Sequence, residues 1–337
     1  MSDYTANIVS SSRIRLARNL NGYPFPSHIK YEKQAKEIIR SVSSAINKLD
    51  EFALYYMDGI SSEVAQNLVE NHLISPLLLQ HPHLSAVLIN ATNDVSIMIN
   101  EEDHLREQCI KKGFSLREAY AEMSQKDELM ARSIVFAYDE QLGYLTACPT
   151  NLGTGLRASA MMFLPALTLS GLMPKVIQSA MRLGLTVRGI YGEGSTAVGY
   201  MYQVSNEVTL GVSEDEILTQ VEQVADKIAQ MEQSERQKLK VGANALAVKD
   251  ECMRSFGILT NCALLPSEEC EKLCASVKLG ACLGYINIRD ISSIDDMVIQ
   301  VKPSNLNLIA KRVLTAAERD AYRAEYAAKF FKETVLK

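Results

Sequence analysis

The chain has 337 residues, 47% of them hydrophobic, with 35 Lys and Arg against 40 Asp and Glu and a formal net charge of −5. This length and apolar content support a substantial core and suggest two domains. The near-balanced charge excludes a global attraction to nucleic acid or anionic lipid and leaves a local basic pocket as the place for a polyanion.

The first residues, MSDYTANIVS, show no basic segment followed by an apolar run, so no signal peptide is expected. The most apolar stretch, MMFLPALTLSGLMP, is too short and too interrupted to span a bilayer. Seven cysteines, with no CxxC and no zinc-finger spacing to histidine, suit a reducing cytoplasm and the role of small buried hydrophobes.

SSRIRLARN, beginning at Ser11, carries Arg13, Arg15 and Arg18. If it is a strand, Arg13 and Arg15 share a face and need either an anion or paired carboxylates, whereas Arg18 need not join them. Residues 30–49 and 62–72 read as helices, the first with Ala35, Ile38, Ile39, Val42 and Ile46 at helical spacing. AVLINATNDVSIMIN then changes period, and Val95, Ile97 and Ile99 alternate with Ser96, Met98 and Asn100. That alternation predicts a hairpin through residues 91–94 with one buried face. It runs into NEEDHLR, residues 100–106, whose three acids are either a solvated strand end or a loop aiming one carboxylate into a cleft beside Arg106.

Residues 114–131 predict a helix and YLTAC a short strand. CPTNLGTGLRAS, from Cys148 to Ser159, lacks the spacing and the lysine of a Walker A loop. A turn feeding a helix N-terminus can still cradle an anion, and Arg157, at an apparent helix start, adds a bidentate phosphate contact. Cys148 is either a reactive thiol or a buried one. Residues 157–171 and 174–183 predict helices, with Pro165 and Pro174 marking kinks or breaks. LTVRGIYG reads as a strand entering the glycine-rich RGIYGEG around Glu193, and YMYQVSNEVTLG as a second hairpin turning at Ser205–Glu207. Ser213 and Glu216 form a capping box for a long helix with a seam of Ile217, Val221, Val224, Ile228 and Met231. The chain after about residue 245 is mainly helical. The expected organisation is an α/β domain over residues 1–240 and a smaller all-α domain over 241–337.

Taken in order, SSRIRLAR, NEEDHLR, CPTNLGTGLRAS and RGIYGEG resemble the signature blocks of the ATP:guanido phosphotransferases, a family that includes creatine and arginine kinases. The resemblance covers about residues 8–240. It implies an antiparallel β-sheet flanked by helices, the guanido kinase/glutamine synthetase-like catalytic domain, followed by the all-α domain. It implies that Ser11, Ser12, Arg13, Ile14, Arg15, His72 and Arg106 contact ATP, with His72 near the adenine and ribose. Arg157, Ala158, Ser159, Ala160 and Met161 would join them, as would Arg188, Gly189, Ile190, Tyr191 and Gly192. The arginines among these would clamp the phosphates. Glu102 and Glu193 would grip the guanidinium from two sides, with Cys148 beside the reactive nitrogen. Magnesium would be held through the nucleotide phosphates, with no separate protein metal site.

These residue types suit the chemistry. A guanidinium stays protonated, and complete proton transfer to an ordinary glutamate would cost roughly 11 kcal/mol at about 1.4 kcal/mol per pKa unit. A carboxylate must therefore orient the group and take the proton as the N–P bond forms, or the site must shift both pKa values.

Near the C-terminus, Thr315 and Glu318 form another capping box ahead of RDAYRA, residues 319–324. The residues alone allow an ordinary salt-bridged helix. The pattern also resembles the RDxxRA motif of the family's bacterial protein-arginine kinases, which implies phosphoarginine binding by Arg319, Asp320, Arg323 and Ala324. The family's metabolite kinases place a helical domain ahead of the SSR block, which here stands almost at the start. An open site suited to arginine on a protein surface is expected. The function expected is ATP-dependent phosphorylation of protein arginines, marking them for Clp-dependent degradation in the cytoplasm. The implied partners are protein substrates with exposed arginines, a second copy of the chain, a McsA-type activator and a Clp unfoldase or protease. The alternatives are a small-molecule guanidino kinase and an inactive phosphoarginine-binding adaptor.

Overall fold

The computed structural model describes residues 3–47, 52–189 and 198–335. In chain order the first elements are β1 (Val9–Arg18), α1 (Glu32–Ile46), β2 (Phe52–Tyr56), α2 (Ser62–Glu70), β3 (Ala86–Asn90), β4 (Val95–Ile99), β5 (Leu105–Lys112) and α3 (Leu116–Ala131). A short ribbon, β6 (Tyr138–Asp139) and β7 (Gly143–Tyr144), precedes β8 (Leu156–Phe163), α4 (Pro165–Leu169), α5 (Met173–Met181), β9 (Leu185–Gly189) and β10 (Met201–Asn206). The long α6 (Glu214–Val241) leads to α7 (Ala245–Asn261), α8 (Ser267–Cys282), α9 (Ser293–Gln300), α10 (Pro303–Ala310) and α11 (Ala316–Thr334).

Eight strands form one antiparallel sheet in the order β2-β3-β4-β5-β1-β8-β10-β9. Residues directly opposite across an antiparallel pair share a face, so the register sorts the side chains. Arg13 and Arg15 stand opposite Ile110 and Gln108 of β5 and opposite Ser159 and Arg157 of β8, and Ala17 stands opposite Arg106. Arg188 faces Gln203, which faces Met161. Arg13, Arg15, Arg106, Arg157 and Arg188 therefore project from a single face. The alternate residues Ile14, Leu16, Cys109, Ala158, Ala160 and Val204 project from the other face into the main core, with Ile38, Val42, Met123 and Val221 from the covering helices.

Four local expectations are corrected. The β3–β4 hairpin forms, but both of its faces are buried: Val95, Ile97 and Ile99 enter the main core, while Val87, Ile89 and Met98 pack under Leu68 of α2 in a second cluster. Met98 falls in the polar phase of the alternation, yet it is apolar enough to fill that layer. LRASAMMF is the interior strand β8, and the helix begins only at Pro165, in its first turn. Small side chains at Ala158 and Ala160 fit a strand buried between neighbours as well as they fit a helix, which is why the period misleads. YLTAC contributes only Tyr144 to a two-residue strand. The turn expected at Ser205–Glu207 is absent, because β10 ends at Asn206 and pairs with β8 and β9 instead.

Helices α7 to α11 enclose their own core around Cys252, Leu259, Cys274, Val277, Met297, Leu306 and Phe331, which Phe163 joins from the end of β8. Lys278, 4% exposed at its side chain, binds Asp295 at 2.6 Å, reaches Ser10 Oγ at 3.3 Å and lies 4.6 Å from the Phe163 ring centre. Glu70, ending α2, accepts the backbone N–H groups of Ser304 at 2.9 Å and Asn305 at 3.3 Å. A carboxylate there satisfies the orphan donors and complements the dipole at the start of α10. Among the described residues no helix is long and apolar enough to cross a membrane.

Candidate active site

The arginine face is electrostatically incomplete. Arg13 is pushed down to about 10 by burial and by the charges of Arg106 and Arg157. Burial, then Arg13, Arg106 and Arg157, hold Arg15 well below its ordinary value, with only Glu101 opposing. Arg157 is lowered by burial and by Arg188, and Glu207 partly offsets this. Arg15 Nε is buried with no hydrogen-bond partner among the described residues. Half-buried guanidinium groups with too few counter-charges are costly. A polyanion such as a nucleotide triphosphate would supply charge and acceptors together.

Arg18 belongs to the other face. It is 3% exposed, binds Asp127 through Nε and Nη2, and donates from Nη1 to the carbonyls of Ala17 and Thr154, each at 2.9 Å. Its guanidinium lies 3.6 Å from the Tyr144 ring centre. The third arginine of SSRIRLARN is thus a buried staple.

A cavity of about 170 Å³ opens beside the arginines, lined among others by Arg15, Arg106, Arg157, Glu101, Glu102 and Cys148. The acidic loop on one side is closed by a left-handed turn at Asn100, φ 60°, whose N–H donates to the His104 carbonyl at 2.9 Å. Asparagine tolerates this backbone region better than most residues. The three successive acids then separate. Glu101, with no side-chain exposure, accepts two bonds from Arg106 Nη1 at 2.9 and 3.0 Å and one from Ser75. Asp103, buried, accepts Asn19 Nδ2 and the Ala147 N–H, each at 2.6 Å. Glu102 lines the cavity, and its carboxylate has no partner among the described residues. Partial burial, then the neighbouring charges of Asp103 and Glu101, raise Glu102 above the usual carboxylate range, against Arg106. A free, raised carboxylate beside a cationic wall can bind a guanidinium and accept its proton.

Cys148 also lines the cavity and is half-buried, its Sγ 3.1 Å from the Thr150 hydroxyl. It is held in an irregular segment that ends against β1 at Gly155, φ 65°, where a Cβ would stand 2.6 Å from the Ala17 carbonyl oxygen. His72 adopts φ 61°, and its carbonyl accepts Gln108 Nε2 at 2.7 Å. Gln108 sits on the arginine face, so this bond brings the His72 turn to it. Crowding by protein atoms, then the positive charges of Lys302 and Arg13, lower the imidazole to about 4. The residue surface is open to solvent, so the two cations are the firmer reason.

Several expected contacts change character. Arg157 starts a strand, so its phosphate-facing role rests on its side chain and not on a helix N-terminus. The side chains of Ile14, Ala158 and Ala160 point into the main core. Ser12 bonds to Gly113 and Ser115, away from the cavity. Strand periodicity leaves Ser11, Arg13 and Arg15 in one run, and Arg157, Ser159 and Met161 in the other, on the ligand face. Gly189 ends β9 opposite Tyr202 on the core side. Ile190, Tyr191, Gly192 and Glu193 lie outside the described residues. The sequence reading missed Glu101 as the counter-ion of Arg106, Gln108 as the anchor of His72, and Asn19. The strand spacing of Arg106 and Gln108 was the available signal for the second.

In the helical region the RDAYRA residues do not share one open surface. Arg323 is 1% exposed and donates to the carbonyls of Val301 at 3.0 Å and Leu265 at 2.7 Å and to Asp320 Oδ1 at 2.7 Å. Ala324 is buried, whereas Arg319 and Asp320 are half-exposed. Arg323→Ala is therefore expected to destabilise the helical region by about 3–5 kcal/mol, because it strips three acceptors in a buried network. Chemical denaturation with a probe in α11 reads this, and unchanged stability would contradict the packing role.

Residues 33–235 match the model of the ATP:guanido phosphotransferase C-terminal catalytic domain, and residues 245–335 match that of the protein-arginine kinase McsB C-terminal domain. The chain is 43% identical to a protein-arginine kinase of Caldanaerobacter subterraneus subsp. tengcongensis, covering 97% of each chain. It is 41% identical to that of Geobacillus stearothermophilus, covering 95% of this chain and 89% of the other. Among solved structures, lombricine kinase superposes with a TM-score of 0.62 at 27% identity, covering 69% of this chain and 68% of that one. The substrate-free duplicated taurocyamine kinase of Schistosoma mansoni gives 0.64 at 24% identity over 78% of this chain, which spans 40% of that protein's length and shares its fold.

Proposed function

Since the chain belongs to the ATP:guanido phosphotransferase family, and within it to the protein-arginine kinases, we propose that Arg13, Arg15, Arg106, Arg157 and Arg188 hold the ATP phosphates. On this reading Glu102 binds and activates the arginine side chain of a protein. The observation that carries the assignment is the pairing of an arginine face that has too few counter-charges with one unpartnered, raised carboxylate at a single cavity. Magnesium, held through the phosphates, would neutralise charge on the transferring group.

In the reaction, Glu102 orients the guanidinium so that one nitrogen attacks the γ-phosphorus while the bond to the ADP oxygen breaks. The nitrogen's proton passes to Glu102 as its lone pair is used. The raised pKa narrows the gap that would otherwise cost roughly 11 kcal/mol. The arginines meet the charge spread over the transferring group and keep it from the carboxylates. Glu193, within RGIYGEG, is proposed as the second grip on the guanidinium, and Cys148 as a neighbour of the reacting nitrogen.

We assign residues 1–240 to catalysis and 241–337 to substrate presentation, dimerisation or both, in the cytoplasm. A McsA-type activator and Clp-dependent degradation of the modified proteins complete the proposal. Arg319 and Asp320 are proposed as the accessible rim of a phosphoarginine site with Arg323 at its base. Asp320→Asn should weaken binding of a phosphoarginine peptide at least tenfold in calorimetry while ATP binding holds; equal loss of both would count against a separate site.

The defining experiment incubates the protein with magnesium ATP and, in parallel, an unfolded arginine-rich protein, free arginine and creatine. Acid-labile phosphoarginine on the protein is expected. Turnover confined to the free compounds would make it a small-molecule guanidino kinase. Binding of phosphoarginine without any turnover would make it an inactive adaptor.

A further inference from the structure

The end of β1 and the residue after it hold the segment that carries Cys148 at both of its ends. Arg18 Nη1 takes the Thr154 carbonyl at 2.9 Å, close to the segment's exit into β8. Asn19 takes its entrance. Asn19 is 1% exposed. Its Nδ2 donates to Asp103 Oδ1 at 2.6 Å and to the Leu145 carbonyl at 3.0 Å, and its Oδ1 accepts the His104 N–H at 2.8 Å. Asp103 Oδ1 also receives the Ala147 N–H at 2.6 Å. One amide thus joins the loop that bears Glu102, through both Asp103 and His104, to the residues just before Cys148.

The hub is rigid for a physical reason. Both donors of the amide are used, and a buried amide that lost one would pay its desolvation. His104, 0% exposed, is locked as well: Nδ1 accepts the Leu20 N–H at 3.0 Å, which leaves the proton on Nε2 to donate to the Pro24 carbonyl at 2.9 Å. Burial pushes this imidazole down to about 4, in keeping with a neutral ring. The hydrogen bonds of the Asn19, Asp103 and His104 side chains run to one another and to the backbone of residues 20, 24, 104, 145 and 147, so the lock concerns the acceptor wall of the cavity.

We propose that Asn19 is a positioning residue that fixes Glu102 and the Cys148 segment as one rigid acceptor wall, setting where the arginine guanidinium sits relative to the γ-phosphoryl. The inference rests on the proposed reaction and goes beyond it by naming what sets its geometry. The Glu102 carboxylate has no bond among the described residues to hold it, so its place depends on the backbone on either side, and the Asn19 amide bonds to the two residues that follow it. Misplacement of a reacting group by about 1 Å can cost ~100-fold in rate.

Asn19→Asp places a second acceptor against Asp103 and breaks the lock. It also sets an acceptor against the Leu145 carbonyl, which Asn19 Nδ2 meets at 3.0 Å in the wild type. The variant is assayed as the full chain beside the wild type, for kcat, KM for ATP, KM for the protein substrate, Tm and the rate of Cys148 alkylation by iodoacetamide. It should lose about 100-fold in kcat, keep KM for ATP within about twofold, and alkylate several-fold faster. If Asn19→Asp does not fold, Asn19→Ala replaces it with the same expectations for kcat and alkylation. An active wild type with a variant of equal kcat, or with kcat and KM for ATP failing together, overturns the positioning role. A wild type without turnover refutes the reaction itself.

Discussion

Glu102→Gln is expected to lower kcat by about 10²–10⁴-fold while leaving the affinity for ATP within about twofold. The size follows from the loss of a proton acceptor placed at the reacting nitrogen. The selectivity follows from the geometry: Glu102 makes no bond to the arginines among the described residues, and Glu101, not Glu102, is the carboxylate paired with Arg106. The pH profile adds a second reading. Glu102 must be ionised to act, and its pKa lies above the ordinary carboxylate value. Wild-type kcat/KM should therefore fall, as pH drops, at a higher pH than an unperturbed glutamate would give, and that limb should vanish from the variant's residual activity. Rapid-quench turnover with calorimetry of ATP binding reads all three. A variant with normal turnover, or one that loses ATP as fast as it loses activity, would remove Glu102 from its role.

Arg15→Met should act in opposite directions on the empty and the loaded protein. In the empty protein Arg15 is a half-buried cation among Arg13, Arg106 and Arg157, with its buried Nε unsatisfied among the described residues. Replacing it with an apolar side chain of similar length removes repulsion and desolvation together, so the empty protein should gain about 1–2 kcal/mol, a rise of several degrees in Tm. With magnesium ATP the ordering reverses. One charge-assisted phosphate contact contributes about 1.5–3 kcal/mol, so ATP affinity should fall roughly 10–100-fold and the Tm rise on adding nucleotide should shrink. Turnover should fall further, by ~10³ or more, because the charge on the transferring group is largest in the transition state. Paired thermal-shift and kinetic measurements check this. A variant less stable when empty would mean that Arg15 is held by the fold and not by an absent anion.

The sequence revealed the site's composition more readily than its wiring. Arg13 and Arg15 could be placed on one face from alternation alone, because a strand's period is two and the run is ten residues long. The capping boxes at Ser213 and Thr315 were visible because their bonds are local. What failed was non-local. LRASAMMF has the small residues of a helix, and only pairing with β1 on one side and β10 on the other makes it a strand. The three acids of NEED look equivalent in a row; their separation into a counter-ion, a free carboxylate and an anchor depends on Arg106, the open cavity and Asn19, and Asn19 lies 84 residues from Asp103. The buried state of Arg323 depends on the carbonyls of Leu265 and Val301, which no helical pattern announces.

The central claim is that Arg13, Arg15, Arg106, Arg157 and Arg188 surround one set of phosphates. Arginine footprinting with phenylglyoxal, read by mass spectrometry with and without magnesium ATP, tests it most directly. The account predicts that ATP protects these arginines together at a single half-saturating concentration while surface Arg254 and Arg312 stay reactive. Protection of the surface arginines instead, or of members of the group at widely different ATP concentrations, would contradict a common phosphate cage.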